Sequence, residues 1–211
     1  MELIDFILHV DRHLTEFVAA NGVWIYGLLF LIVFVETGLV VMPLLPGDSL
    51  LFAAGAIAAT GGMDPVLLIV LLFSAAVLGD TLNYHVGHYI GPKVYERESR
   101  FIRRDHLLKT RAFFDHHGGK TIIIARFMPF IRTFAPFVAG VGSMEYRRFL
   151  MFNVVGAGLW VVSFVMLGYF FGNLPVVKEN FTLVIFAIIL VSVAPGVIAW
   201  LRHTLEQRRA R

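Results

Sequence analysis

The sequence has 211 residues, of which 58% are hydrophobic and 16% are charged, and its mean hydropathy is +0.77. A soluble domain carries about 25% charged residues, so this composition indicates an integral membrane protein. The formal net charge of +3 is too small to indicate nucleic acid as a partner, and the absence of cysteine excludes disulfides, thiol nucleophiles and thiolate metal sites.

The first segment, residues 1–20, alternates apolar and polar positions at helical spacing. Its charges exclude a membrane span, so we predict an amphipathic helix that lies at the membrane interface. The segment has no basic region followed by a small-residue cleavage site, and we therefore expect no signal peptide.

The next apolar stretch, VETGLVVMPLLPGDSLLFAAGAIAA at residues 35–59, contains helix breakers at Pro43, Pro46 and Gly47. The run before the break, 23–35, has 13 residues. As a helix it would reach about 20 Å, whereas the hydrocarbon core is about 30 Å thick. The run after the break is also too short to cross. Two half-length pieces that meet at such a break predict a re-entrant hairpin, which is tolerated where protein or a water-filled cavity surrounds it.

Residues 66–90 are long enough to span the membrane, and a basic segment with eight Lys or Arg follows at 93–120. A second broken stretch, TIIIARFMPFIRTFAPFVAGVGSM, then contains Pro129 and Pro136. It predicts a second re-entrant hairpin for the same reason as the first.

Two further apolar runs, 149–172 and 181–201, are candidate spans, and the C-terminal tail is basic. The two halves of the chain resemble each other, although small-residue matches in apolar sequence also arise by chance. MPLLPGDSLLFAAG aligns with MPFIRTFAPFVAG, and GHYIG aligns with GYFFG. We interpret them as a diverged internal repeat of interfacial helix, broken hairpin and spanning helix. The predicted organisation is one all-α membrane domain over 1–211, with repeat 1 at about 1–92, repeat 2 at about 93–174 and a C-terminal transmembrane helix at 181–201.

Charge placement predicts that the repeats are inverted. Basic residues cluster at 93–120, at Arg147 and Arg148 and at the C-terminus, which the positive-inside rule assigns to the cytoplasm. The short segments 60–65 and 173–180 hold one Lys between them and are assigned to the outside. The two hairpins then enter from opposite sides, as in secondary transporters.

The first hairpin carries two acids, Glu36 and Asp48, and the second carries two bases, Arg126 and Arg132. A charged residue at the bilayer centre costs roughly 2.5–3.5 kcal/mol on insertion scales and marks a functional site by default. The four charges can neutralise one another around a shared cavity. Alternatively, Glu36–Arg126 and Asp48–Arg132, or the crossed pairs, are purely structural bridges.

Three motifs resemble those of the DedA family, also called SNARE-associated Golgi or VTT-domain proteins. They are PGDSLL at 46–51, GDTLNYHVG at 79–87 and ARFMPFIRTFAPFVAG at 125–140, and the resemblance covers nearly the whole chain. It implies a multi-pass bacterial inner-membrane protein with two facing re-entrant hairpins. The family is linked to proton-motive-force-dependent transport and to translocation of lipids, including undecaprenyl phosphate and phospholipids.

The resemblance also implies roles for individual residues. The acids of the family match Glu36 and Asp48, and its arginines match Arg126 and Arg132. Its Gly-Asp-x-x-x-Tyr element matches Gly79, Asp80 and Tyr84. A guanidinium grips phosphate in a bidentate fork, so the two arginines are predicted to hold a lipid headgroup. The carboxylates can hold the arginines when cargo is absent and take up protons when phosphate replaces them. The expected partners are therefore membrane lipids and protons, with no cofactor.

Other polar and aromatic residues support weaker predictions. Asp80, Asn83 and Tyr84 lie on one helix surface and either extend the polar route, orient an arginine or join helices by hydrogen bonds. His85 and His88 have no third ligand at metal-binding spacing, so no metal is expected. The tryptophans at positions 24, 160 and 200 are expected to anchor the chain at the interface.

Two rival functions have to be considered. One is a proton-coupled antiporter of a small solute or cation, with the arginines as structural counter-ions. The other is a membrane enzyme such as a lipid phosphatase, but no histidine-plus-arginine phosphatase signature and no Gly-x-Ser-x-Gly elbow is present. We therefore predict a transporter and no enzymatic activity. The sequence leaves open the cargo, the proton stoichiometry and whether the chain forms a homo-oligomer.

Overall fold

The computed structural model describes residues 22–39, 47–96 and 118–172, together with 174, 175 and 177. Within these ranges the chain forms six helices and no strands, which confirms the all-α class. They are α1 Val23–Gly38, α2 Gly47–Ala59, α3 Pro65–Glu96, α4 Lys120–Arg126, α5 Pro129–Val141 and α6 Tyr146–Phe171. Several predictions fall outside the described residues: the interfacial helix at 1–20, the break at Pro43 and Pro46, most of the basic segment and the helix at 181–201.

Two helices are long and apolar enough to cross a membrane. The spanning part of α3, Pro65–Gly91, has 27 residues and α6 has 26, and within them an 18-residue window has a mean hydropathy of 2.2 and 2.1, respectively. At 1.5 Å per residue each reaches about 40 Å, which exceeds the hydrocarbon core of about 30 Å. The spans predicted at 66–90 and 149–172 coincide with these two helices.

The other four helices are short, with 7 to 16 residues each. Helix α4 ends at Arg126 and α5 begins at Pro129, with Met128 in an extended conformation between them. This geometry follows from proline, which disfavours helical backbone at the residue before it and fits the first position of a new helix.

Pro136 does not break the chain, contrary to the sequence interpretation. It lies inside α5, which continues through it to Val141. A proline inside a helix costs about 3 kcal/mol because it removes one backbone hydrogen bond. The helix survives because α5 packs along α3, and Ala135 and Ala139 on either side of the proline are buried in that contact.

Two of the short helices pack on the long ones. Helix α2 lies against α6, and α5 lies against α3. Each contact is made close by glycine: a Cβ atom at Gly168 would meet the carbonyl oxygen of Phe52, and a Cβ atom at Gly87 would meet that of Phe137. Glycine is required at both positions because the neighbouring backbone occupies the space of a side chain.

Candidate functional site

Five charged side chains are buried where the ends of the short helices meet α3. Glu36 lies in the last turn of α1, Asp48 is the second residue of α2, and Asp80 lies in α3. Arg126 ends α4, and Arg132 lies in the first turn of α5. All five are at most 8% exposed.

The Arg132 guanidinium holds two carboxylates from the first half of the chain. Its Nη1 lies 2.6 Å from Asp48 Oδ1, and its Nη2 donates to Glu36 Oε1. The sequence left the pairing of acids and arginines open, with one acid for each arginine as an alternative to a shared cluster. The structure instead joins both acids to Arg132, which brings the ends of three helices to one point.

Arg126 has a different partner. Its Nη1 lies 2.7 Å from Asp80 Oδ2 and donates to Asn153 Oδ1 at 2.8 Å. The Asn153 amide in turn donates to the Val77 carbonyl at 3.1 Å, which ties α6 to α3. Asp80 therefore orients an arginine, one of the alternatives that its position in the sequence left open.

Asn153 was missed by the sequence analysis. It is completely buried in α6, within the apolar run MFNVVGAGLW. An amide in the middle of an apolar span has to find partners inside the protein. The signal that could have found it is therefore its isolation among apolar residues.

Trp160 is part of the site, and the predicted interface-anchoring role is wrong for this residue. It is 1% exposed, and its indole N–H donates to Asp48 Oδ1 at 2.8 Å. The Cζ atoms of Arg126 and Arg132 lie 5.6 Å and 5.2 Å from the ring centroid. A buried indole needs a partner for its N–H, and here a carboxylate supplies it. Trp24, in contrast, is 83% exposed at the start of α1.

Asn83 joins the two halves of the site. It is completely buried, and its amide donates to the carbonyl of Thr37 at 3.2 Å and to that of Thr133 at 2.7 Å. Thr37 follows Glu36 in α1, and Thr133 follows Arg132 in α5. One amide on α3 thus fixes the backbone next to both members of an ion pair.

Tyr84 serves a different part of the fold. Its hydroxyl donates to the Met144 carbonyl in the turn after α5, and its ring stacks on Phe149 with 4.5 Å between centroids. This hydrogen bond joins a helix to a turn, whereas the sequence suggested hydrogen bonding between helices. His85 and His88 are exposed beside it, and in the described part of the chain no group of three His, Asp or Glu is arranged to hold a metal.

The two arginines line one small cavity, which has room for about one water molecule. The side chains that line it are Thr37, Asp80, Ile122, Arg126, Arg132, Thr133, Pro136 and Trp160. Among the described residues, Arg126 Nη2 and Arg132 Nε are buried donors without a hydrogen-bond partner. Buried donors of this kind favour an acceptor, and a guanidinium favours an anionic one.

Comparison with known proteins agrees with the family resemblance noted from the sequence. The model of the VTT domain matches residues 45–170. Protein DedA of Escherichia coli K12 is 54% identical over 211 residues, covering 99% of this chain and 96% of the relative. The uncharacterized membrane protein Rv0364 of Mycobacterium tuberculosis H37Rv is 43% identical, covering 90% and 86%. The inner membrane protein YghB of E. coli K12 is 34% identical, covering 83% and 78%. No solved structure matches the chain.

Proposed function

This chain belongs to the DedA family of VTT-domain membrane proteins, and we propose that it translocates a phosphate-bearing lipid across the bacterial inner membrane. The cargo is undecaprenyl phosphate or a phospholipid, and the driving force is the proton motive force. The lipid is moved without chemical change. The family resemblance noted from the sequence and the names of relatives such as inner membrane protein YghB support a membrane location.

One observation carries the proposal: two buried arginines line the same cavity, and each keeps a donor without a partner among the described residues. A guanidinium stays charged at any physiological pH and matches the geometry of a phosphate. Arg126 and Arg132 therefore supply two permanent positive charges that a single anionic headgroup can bind once the acids release them. Thr37 and Thr133 also line the cavity.

The carboxylates supply the coupling to protons. Three acids, Glu36, Asp48 and Asp80, face two arginines, Arg126 and Arg132, so the ionised site carries one excess negative charge. Adding a phosphate to it would increase that excess, which is unfavourable in a buried site. Proton uptake by the acids removes this excess negative charge and releases the arginines. Headgroup binding is therefore proton-linked, with Glu36 and Asp48 as the main proton acceptors.

The cavity is too small for a headgroup, so the structure corresponds to a closed state of the proposed cycle. In it the acids occupy the arginines. Separation of α1 and α2 from α5 would break the contacts of Arg132 with Glu36 and Asp48 and open the site. The break between α4 and α5, at Phe127 and Met128, is the natural hinge.

We also propose the inverted-repeat architecture in which the two re-entrant hairpins face each other. Reciprocal contacts support it: α2 of the first half packs on α6 of the second, and α5 of the second packs on α3 of the first. The matched glycines Gly87 and Gly168 meet the matched residues Phe137 and Phe52. In this proposal the single domain spans 1–211 and its C-terminus is cytoplasmic.

A second candidate is a proton-coupled antiporter of a small solute or cation. It is favoured by the size of the cavity and by the fact that acids already occupy both arginines. In that case the arginines are structural counter-ions and the acids alone bind the cargo. A lipid carrier requires a sideways opening to the bilayer, which a solute carrier does not need.

Reconstitution into sealed liposomes with an imposed pH gradient tests the proposal. A fluorescent polyprenyl phosphate and a fluorescent phospholipid are followed in parallel, with wild type and with Arg126→Ala and Arg132→Ala. Movement of polyprenyl phosphate alone, dependent on both arginines, identifies a carrier-lipid transporter. Movement of both lipids identifies a broader lipid translocase. If neither lipid moves while the protein is folded and the gradient holds, the lipid proposal fails and the antiporter takes its place.

A further inference from the structure

Trp160 contacts three of the five charged side chains of the site. Its ring faces the guanidinium groups of Arg126 and Arg132, and its N–H donates to Asp48. These three partners come from three different helices, α4, α5 and α2, whereas Trp160 belongs to α6. One rigid side chain therefore touches both arginines and one of the acids that compete for them.

The geometry of a guanidinium gives this contact a specific consequence. A cation–π interaction uses the flat face of the guanidinium, whereas hydrogen bonds to phosphate use the N–H groups at its edge. Trp160 can thus hold Arg126 and Arg132 in place without using up any donor. A hydroxyl, amide or carboxylate in the same position would compete with the headgroup for those donors.

Desolvation strengthens the effect. Trp160 is 1% exposed and the two arginines are 4% and 8% exposed, so water does not screen the contacts. Cation–π interactions are worth about 0.5–1 kcal/mol at exposed sites and about 2 kcal/mol or more when desolvated. The indole therefore replaces part of the hydration that both guanidinium groups lose in the protein.

We propose that Trp160 is a positioning residue for the lipid headgroup: its ring holds both arginines without engaging their N–H groups, which bind carboxylates in this structure and phosphate in the proposed bound state, while its N–H keeps Asp48 at the site. The inference rests on the proposed function, since it assumes that the arginines bind a lipid phosphate. It adds a residue from α6, so the headgroup site would be assembled from α4, α5 and α6 together.

The test is equilibrium binding of farnesyl phosphate, a short prenyl phosphate, to the purified full-length protein in detergent. Trp160→Leu removes the ring and the N–H, Trp160→Phe keeps a ring and removes the N–H, and Trp24→Leu is the control at an exposed tryptophan. We expect Trp160→Leu to weaken binding about tenfold or more, Trp160→Phe to remain within about threefold of wild type, and Trp24→Leu to match wild type. Phenylalanine is smaller than tryptophan and would restore lost packing only in part. Near-wild-type binding by Trp160→Phe would therefore indicate that the ring acts by positioning the arginines.

A fluorescence measurement covers the case in which Trp160→Leu does not fold. The chain has three tryptophans, so Trp24→Phe/Trp200→Phe leaves Trp160 as the sole indole. Farnesyl phosphate should change its emission, because the headgroup displaces Asp48 from Arg132 beside the ring. Unchanged emission at saturating ligand, or a folded Trp160→Leu that binds as tightly as wild type, would overturn the role of Trp160 alone. Failure of the wild type to bind farnesyl phosphate would instead contradict the proposed function.

Discussion

Glu36 and Arg132 each lie at the helix end that disfavours their charge, and there they bind each other. Glu36 is in the last turn of α1, where backbone carbonyls make the end negative, and Arg132 is in the first turn of α5, where backbone N–H groups make the end positive. Both are buried. Neither charge is stabilised by its own helix end, so each residue depends on the other more than in an ordinary ion pair. A substitution of one should therefore destabilise the other.

The first prediction concerns Arg132→Ala. The substitution leaves Glu36 and Asp48 without their guanidinium, and loss of one partner from a buried ion pair typically costs about 3–5 kcal/mol. We expect a clear drop in the thermal unfolding temperature of the detergent-solubilised protein. The triple variant Arg132→Ala/Glu36→Gln/Asp48→Asn should recover much of the stability, since no unpaired charge remains. Lipid movement should stay absent in both variants, and its return in the triple variant would contradict a role for Arg132 in binding cargo.

The second prediction concerns pH. In the proposed cycle a proton on Glu36 or Asp48 releases Arg132, so acidification should strengthen the binding of farnesyl phosphate to wild type. Glu36→Gln/Asp48→Asn fixes both groups in a neutral form and should bind the ligand with little dependence on pH. Binding is measured by titration at several pH values in the same detergent. The same pH dependence in wild type and the double variant would exclude these acids as the proton acceptors.

The third prediction separates Asp80 from Tyr84, which lie one helical turn apart on α3. Asp80 holds Arg126, so Asp80→Asn should disturb the arginine and reduce lipid movement strongly. The Tyr84 hydroxyl bonds the turn at Met144, so Tyr84→Phe should cost about 1 kcal/mol of stability and leave movement near the wild-type rate. Liposome assays of both variants at matched protein content check this. Equal loss of activity in the two variants would place Tyr84 in the transport route after all.

The fourth prediction concerns the close approach of α2 and α6. In Gly168→Ala the added methyl group meets the Phe52 carbonyl oxygen, so the helices must separate, at a cost of about 1–3 kcal/mol. Gly27→Ala is a matched control, because a Cβ atom there has nothing within 4 Å. The control should be neutral or slightly more stable, since alanine favours a helix by about 1 kcal/mol over glycine. Thermal unfolding of the two variants gives the comparison, and similar values for both would contradict the described packing.

The sequence identified the charged residues of the site but not how they pair. Glu36, Asp48, Arg126 and Arg132 stand out because ionised groups are rare in apolar segments. Their pairing is decided by contacts across 84 and 96 positions of the chain, between Arg132 and its two acids. Local patterns do not determine such long-range contacts, so a scheme with one acid for each arginine was equally compatible with the sequence.

Trp160 and Pro136 show a second kind of limit. A tryptophan in a spanning helix has the same sequence signature whether it faces the interface or an internal charge, so the burial of Trp160 could not be read from its neighbours. Proline normally ends a helix, but at Pro136 the packing of α5 on α3 outweighs that preference. In both cases tertiary contacts override a local rule.

The most direct test of the central claim is to compare two lipids that differ only in headgroup charge. A fluorescent polyprenyl phosphate and its neutral dimethyl ester are followed across proteoliposomes that contain wild type, Arg126→Ala or Arg132→Ala, under one imposed pH gradient. If the arginines recognise the phosphate, wild type moves the charged lipid much faster than the ester, and each variant loses this difference. Equal protein-dependent movement of both lipids, or a preference for the charged lipid that survives in both variants, would contradict the account.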